Sequence, residues 1–119
     1  MSVYRGVLPI AALGGIVSAG LLFSIFNAIL EEIIFHGILF DSAESQWGVW
    51  IAVAATAILF GYGHLRGYPP GLAGAFLAGL YGLCLGWLRI YTGGIGWPVI
   101  AHIAADATIF VLIARSGIS

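Results

Sequence analysis

The chain has 119 residues, of which 61% are hydrophobic and 8% are charged, and its formal net charge is −1. A water-soluble domain carries about 25% charged residues, so this composition excludes a soluble globular protein and indicates that lipid is the main solvent. Its four basic residues are too few for the basic surface that nucleic-acid binding requires, and its single cysteine, Cys84, excludes an internal disulfide.

Four apolar segments follow one another along the chain, and each approaches the roughly 20 residues that a membrane-spanning helix needs. They run from about Leu8 to Ala43, Trp47 to His64, Gly71 to Tyr91 and Trp97 to Ala114. Lipid offers no partners for backbone polar groups, which favours helices, and the segments lack the alternation of barrel strands. We therefore predict an all-α fold, a polytopic membrane helical bundle of about four transmembrane helices, forming a single domain over residues 1–119.

The first segment is longer than one membrane crossing requires. At 1.5 Å per residue, its roughly 36 residues would extend about 54 Å, whereas a hydrocarbon core is about 30 Å thick. It also exceeds the roughly 7–15 apolar residues of a signal peptide, so we expect a retained span. We predict one long helix, straight or kinked; the alternative is a break near Phe26–Asn27, which would make five segments.

The arginines are distributed unevenly between the two sides of the predicted bundle. Four crossings place Arg5, Arg66 and Arg115 on one side and Arg89 near the other. Because basic residues favour the cytoplasmic side of a membrane, we expect both termini in the cytoplasm.

Six ionisable side chains fall inside the predicted spans: Glu31, Glu32, His36, His64, His102 and Asp106. A carboxylate at the bilayer centre costs about 2.5–3.5 kcal/mol. We therefore expect these groups to avoid lipid and to converge on a hydrated cavity, which marks a functional site by default.

Spacing within the helices supports this convergence. Glu32 and His36 lie four residues apart and share a helix face, as do His102 and Asp106. Asn27 and Glu31 share a second face. His102 is the hardest to place, because its helix begins on the side away from His64; convergence requires the preceding loop to dip inward or His64 to lie near the middle of the membrane.

Three motifs carry these residues, in order, in successive segments. Residues 31–37 (EEIIFHG) resemble the double-glutamate motif EExxxR, residues 60–64 (FGYGH) resemble FxxxH, and residues 102–106 (HIAAD) resemble HxxxN or HxxxD. Residues 97–101 (WPVIA) are similar to the usual lead-in to the third motif. The chain thus resembles the CPBP intramembrane proteases, which include type II CAAX prenyl proteases and bacteriocin-processing or self-immunity proteins. His36 stands where that family usually has arginine.

The resemblance implies CAAX-type hydrolysis of a peptide bond in a membrane-associated peptide or protein by an activated water. It implies that Glu31 and His64 activate the water and that His102 donates a hydrogen bond to the oxyanion. Asp106 would hold His102 protonated and oriented. Supporting positions would be Glu32, His36, Phe60 and Asn27. No metal and no cofactor are implied. We expect a prokaryotic-type cell membrane, the lipid bilayer as a partner, and homo-oligomers as an option for a glycine-rich core.

Simpler interpretations of the same residues remain open. Glu31 and Glu32 could begin a helix, where carboxylates favour the dipole, and His64 could cap a helix C-terminus. His102 and Asp106 could form an interhelical polar clamp. At the level of function, the alternatives are a non-catalytic self-immunity protein or scaffold, a metal-dependent membrane hydrolase, and a proton or ion relay.

Overall fold

The computed structural model describes residues 10–118, with side chains from Ala12 to Arg115, and within this range the chain forms helices and turns without strands. The helices are α1 (Ile10–Glu32), a π-helix (Ile33–Leu39), α2 (Phe40–Trp47), α3 (Val49–Tyr62), α4 (Gly71–Thr92) and α5 (Gly96–Ile118). The predicted all-α membrane bundle is confirmed. Arg5 and the predicted start of the first segment at Leu8 lie outside the described residues.

The first predicted segment is one continuous helix from α1 through the π-helix to α2. The alternative break near Phe26–Asn27 does not occur, since both residues lie inside α1. The irregular turn instead follows Glu32 directly. The long helix ends at Gly48, whose φ of +92° is a conformation that residues with a Cβ rarely adopt.

Within residues 10–118, three helical stretches are long and apolar enough to cross a membrane: Ala12–Trp47, Gly71–Thr92 and Gly96–Arg115. These spans make the chain an integral membrane protein. The second predicted segment is shorter than expected, because α3 contains 14 residues and extends only about 21 Å. A hydrocarbon core of about 30 Å is therefore deeper than α3 is long.

Small residues allow the helices to approach closely, as is common in membranes. A Cβ added to Gly61 of α3 would lie 2.7 Å from the Ala75 carbonyl oxygen of α4. On the other side of the bundle, α1 packs antiparallel to α5, and Gly20 lies against the ring of Phe110. These two pairings bring the end of α1, the end of α3 and the first half of α5 to one place.

Candidate active site

The structure brings the predicted site residues together at the junction of three elements. Glu31 and Glu32 end α1, and His64 lies two residues beyond the end of α3. His102 and Asp106 lie in α5. His102 and His64 do converge, because both imidazoles lie within 4 Å of Glu31.

Glu32 is the buried centre of the group. Its Oε1 lies 2.7 Å from Nδ1 of His36, and its Oε2 lies 2.8 Å from Nδ1 of His102. The side chains of Glu32 and His36 have no exposed surface, and that of His102 is 2% exposed. Because both carboxylate oxygens are engaged away from solvent, Glu32 is placed to orient its neighbours and not to contact a substrate.

Glu31 lies one position earlier and faces a different way, since successive helical residues differ by about 100°. Its side chain is 24% exposed. Its Oε2 lies 3.7 Å from Nε2 of His64 and 3.4 Å from Nε2 of His102. One carboxylate oxygen, itself buried and without a hydrogen-bond partner among the described residues, therefore faces two imidazole nitrogens, an arrangement that suits general acid–base chemistry.

The contact between His64 and Phe60 fixes the tautomer of His64. Nδ1 of His64 is bonded to the carbonyl oxygen of Phe60. A carbonyl can only accept, so Nδ1 carries the proton and, in the neutral ring, Nε2 presents a lone pair towards Glu31. The Phe60 ring is 2% exposed, and its centroid lies 4.4 Å from His64 and 5.5 Å from His102. It thereby packs against both imidazoles.

Asp106 links α5 back to α1. Its Oδ2 accepts a 2.8 Å hydrogen bond from Nδ2 of Asn27, and its Oδ1 lies 3.4 Å from Nε2 of His102. His102 is consequently surrounded by the carboxylates of Glu31, Glu32 and Asp106.

A cavity of about 220 Å³ opens beside this group, between α4, α5 and the turn after α3. His64, His102 and Asp106 line one part of it, and aliphatic side chains such as Leu77 and Ile109 line the rest. A larger groove of about 550 Å³ lies between α3 and α4, but its lining is aliphatic and aromatic and contains none of the predicted site residues. The smaller cavity is therefore the candidate active site.

The donor set does not match a metal centre within the described part of the chain. No group of three or more His, Cys, Asp or Glu side chains there has an arrangement that could hold a metal ion. The imidazoles face carboxylates instead, with Nδ1 of His102 and Nδ1 of His36 directed at Glu32.

Two residues near the site were not predicted to belong to it. Tyr81 of α4 lines the cavity and donates a 2.6 Å hydrogen bond to the carbonyl oxygen of Ala101, the residue before His102. Arg89, predicted from the sequence to lie near the side opposite the other arginines, donates to the carbonyl oxygen of His36. Both bond to main-chain oxygens, for which the sequence contains no specific signal.

Comparison with protein families identifies the three motifs as part of a known family. The family model described as type II CAAX prenyl endopeptidase Rce1-like matches residues 13–108, which include the three motifs. Comparisons with curated proteins and with solved structures gave no match.

Proposed function

Because the chain belongs to the Rce1-like family of type II CAAX prenyl endopeptidases, we propose that it hydrolyses a peptide bond in a membrane-associated peptide or protein through a water activated by Glu31 and His64. The observation that carries this proposal is the position of one Glu31 oxygen, 3.7 Å from His64 and 3.4 Å from His102. CAAX-type processing is the reaction that the family membership favours.

The first step requires a base for the attacking water. At 3.7 Å, the Glu31 and His64 atoms are too far apart for a direct hydrogen bond, and this Glu31 oxygen is buried without a hydrogen-bond partner in the described part of the chain, so a water placed between the two atoms would bond to both. Glu31 removes a proton from this water while Nε2 of His64 accepts its second hydrogen in a hydrogen bond. The water oxygen then bonds to the scissile carbonyl carbon, and the electron pair of the C=O π-bond moves to oxygen.

The second step requires a donor for the oxyanion and a proton for the leaving amine. His102 can supply the donor through Nε2–H in its doubly protonated form, in which Nδ1–H donates to Glu32 and Nε2 lies beside Glu31 and Asp106. Preorganised donors of this kind account for a large share of catalysis in acyl transfer. Glu31 then returns its proton to the amine nitrogen as the C–N bond breaks, which regenerates the starting carboxylate.

The early end of α3 suggests how water reaches the site. The helix ends at Tyr62 after 14 residues, so the chain continues at membrane depth as the non-helical segment 63–70. Non-helical backbone is tolerated at that depth only where it is buried in protein or lines a hydrated space. Since His64 and Tyr68 of this segment line the cavity, we infer that water reaches Glu31 along it.

The test is the substitution Glu31→Gln in the purified protein, assayed with a lipid-anchored peptide in detergent or proteoliposomes. Loss of a general base typically costs 10²–10⁴ in rate, so we expect kcat to fall by at least about 100-fold with the fold retained. Glu44→Gln is the matched control, because Glu44 is an exposed glutamate near the end of α2. Retention of most of the activity by Glu31→Gln would contradict the proposal.

The buried network of Glu32, His36 and His102 also suits a non-catalytic scaffold that uses polar contacts to hold helices together. The two functions differ in what Glu31→Gln changes. If the protein is a scaffold, the wild type shows no turnover and Glu31→Gln retains the biological activity. If it is a hydrolase, Glu31→Gln loses turnover and keeps its thermal stability.

A further inference from the structure

The long helix buries one residue in every four between its middle and its C-terminal part. These residues are Gly20, Ser24, Ala28, Glu32, His36 and Phe40. In a regular α-helix, a residue four positions on points about 40° further round, so the stripe would rotate by about 200° over its length. The π-helix at Ile33–Leu39 contains one more residue per turn and reverses part of this rotation.

The C-terminal side of the π-helix is fixed by packing. Phe40 and Ala43 form a buried cluster with Ala52 of α3, and Val49 and Val53 pack against it. The π-helix lies between this cluster and the two glutamates. The direction in which Glu31 and Glu32 point therefore depends on the additional residue per turn of the π-helix. If the π-helix took α-helical geometry, the residues before it would rotate by about 100°, and the glutamates would lose their contacts with His64 and His102.

Arg89 lies in the last turn of α4. Its side chain contacts the second half of the π-helix and the residues that follow the π-helix. Its Nε donates to the carbonyl oxygen of His36 at 3.1 Å, and its Nη2 donates to Oδ1 of Asp41 at 2.8 Å. Its guanidinium carbon lies 5.2 Å from the ring centroid of Phe40. Three contacts from one side chain thus join α4 to the π-helix and to the first turn of α2.

These contacts contribute to stability because the guanidinium group is largely shielded from solvent. Exposed ion pairs contribute little, and Asp41 is 61% exposed. The Arg89 side chain, however, is only 18% exposed, and one of its acceptors is a main-chain oxygen inside an irregular turn. The planar fork of arginine can serve both acceptors at once, which a lysine cannot reproduce.

We propose that Arg89 is a positioning residue, which holds the π-helix in the geometry that directs Glu31 and Glu32 to His64 and His102. Its kinetic consequence rests on the hydrolytic function proposed above. Arg89 acts through His36, Phe40 and Asp41, so the expected defect is a misdirected base and not a lost substrate contact.

The kinetic test compares Arg89→Gln, Arg89→Lys and Arg115→Gln. A misplacement of about 1 Å can cost about 100-fold in rate, so we expect Arg89→Gln to lower kcat by at least about tenfold with KM changed by less than about threefold. Arg89→Lys should recover part of this loss, since it keeps one charged donor. Arg115→Gln, at an exposed arginine near the end of α5, should match wild type.

A second measurement needs no turnover. In a Cys84→Ala background, Ser24→Cys places a thiol at a fully buried position of α1. If Arg89→Gln lets α1 rotate, this thiol should react with a small membrane-permeant reagent at least about fivefold faster, because buried thiols are inert. Arg89→Lys should give a labelling rate between those of wild type and Arg89→Gln.

The two readouts separate the two proposals. Wild-type kcat and an unchanged labelling rate in Arg89→Gln would overturn the role of Arg89. If instead wild type and Glu31→Gln turn over equally, the hydrolytic function fails, and the labelling rate alone decides whether Arg89 holds the turn.

Discussion

In His64 and in His102, one contact of Nδ1 leaves the other ring nitrogen, Nε2, to face the site. Nδ1 of His64 is engaged by a carbonyl oxygen and Nδ1 of His102 by Glu32. Both Nε2 atoms consequently face the same Glu31 oxygen. The two rings nevertheless have different neighbours, because His102 also lies beside Asp106. This difference is the physical basis for assigning water binding to His64 and hydrogen-bond donation to His102.

The hydrogen bond between Asn27 and Asp106 can be tested by exchanging the two side chains. Asn27→Asp places a second carboxylate at the 2.8 Å contact, where like charges repel, and we expect kcat/KM to fall by at least about tenfold. In the double variant Asn27→Asp/Asp106→Asn, a donor again faces an acceptor. The double variant should therefore be more active than Asn27→Asp alone, which a double-mutant cycle measures. Losses that simply add would contradict a direct interaction between the two side chains.

The cost of burying charge in lipid explains why the sequence was sufficient to predict the convergence of the glutamates and histidines. Stranded carboxylates must meet partners, and few partners are present. The same reasoning does not identify the contacts of Arg89 and Tyr81 with the carbonyl oxygens of His36 and Ala101. Every residue has such an oxygen, so residue types alone do not identify which one is used.

The π-helix is the element that sequence periodicity did not predict. Its residues, mainly isoleucine, leucine and phenylalanine, fit α-helical and π-helical turns equally well, so local propensity predicts only a continuous helix. The sequence signal for the π-helix is instead that small and polar residues recur at every fourth position, from Gly20 and Ser24 to Glu32 and His36. A regular helix cannot keep such a repeat on one face, and this signal was available in the sequence.

The contact between α3 and α4 gives a prediction from a matched pair of glycines. A Cβ at Gly61 would lie 2.7 Å from the Ala75 oxygen and 3.2 Å from Cα of Gly79, whereas a Cβ at Gly79 would meet nothing closer than 3.7 Å. Overpacking of this kind costs about 1–3 kcal/mol. We expect Gly61→Ala to lower the unfolding midpoint in detergent and to reduce activity, because Phe60 and His64 adjoin this contact.

Gly79→Ala is the control for this measurement, since it adds the same methyl group to the facing helix in ordinary van der Waals space. It should be close to neutral. Equal destabilisation by the two substitutions would show that loss of glycine itself, and not close helix packing, sets the cost.

Across the whole molecule, aromatic residues mark one end of the bundle. Trp47, Trp50 and Trp87 are 57–65% exposed, and the rings of Trp50 and Trp87 stack with centroids 6.4 Å apart. Exposed tryptophans favour the boundary between lipid and water. Glu31 lies 16 residues before Trp47, or about 24 Å along the helix. The glutamates are therefore far from this boundary along α1, whereas His102 lies only five residues after the exposed Trp97 of α5.

The distribution of arginines predicts which boundary faces the cytoplasm. Arg66 follows α3, and Arg115 lies near the end of α5, so both belong to the end opposite the tryptophans, and positive charge favours the cytoplasmic side. In a Cys84→Ala background, we expect an impermeant maleimide to label Arg66→Cys in inside-out vesicles and Ser45→Cys in right-side-out vesicles. The reverse pattern would place segment 63–70, and with it the proposed water route, on the side away from the cytoplasm. Labelling of both from one side would contradict the antiparallel arrangement of the helices.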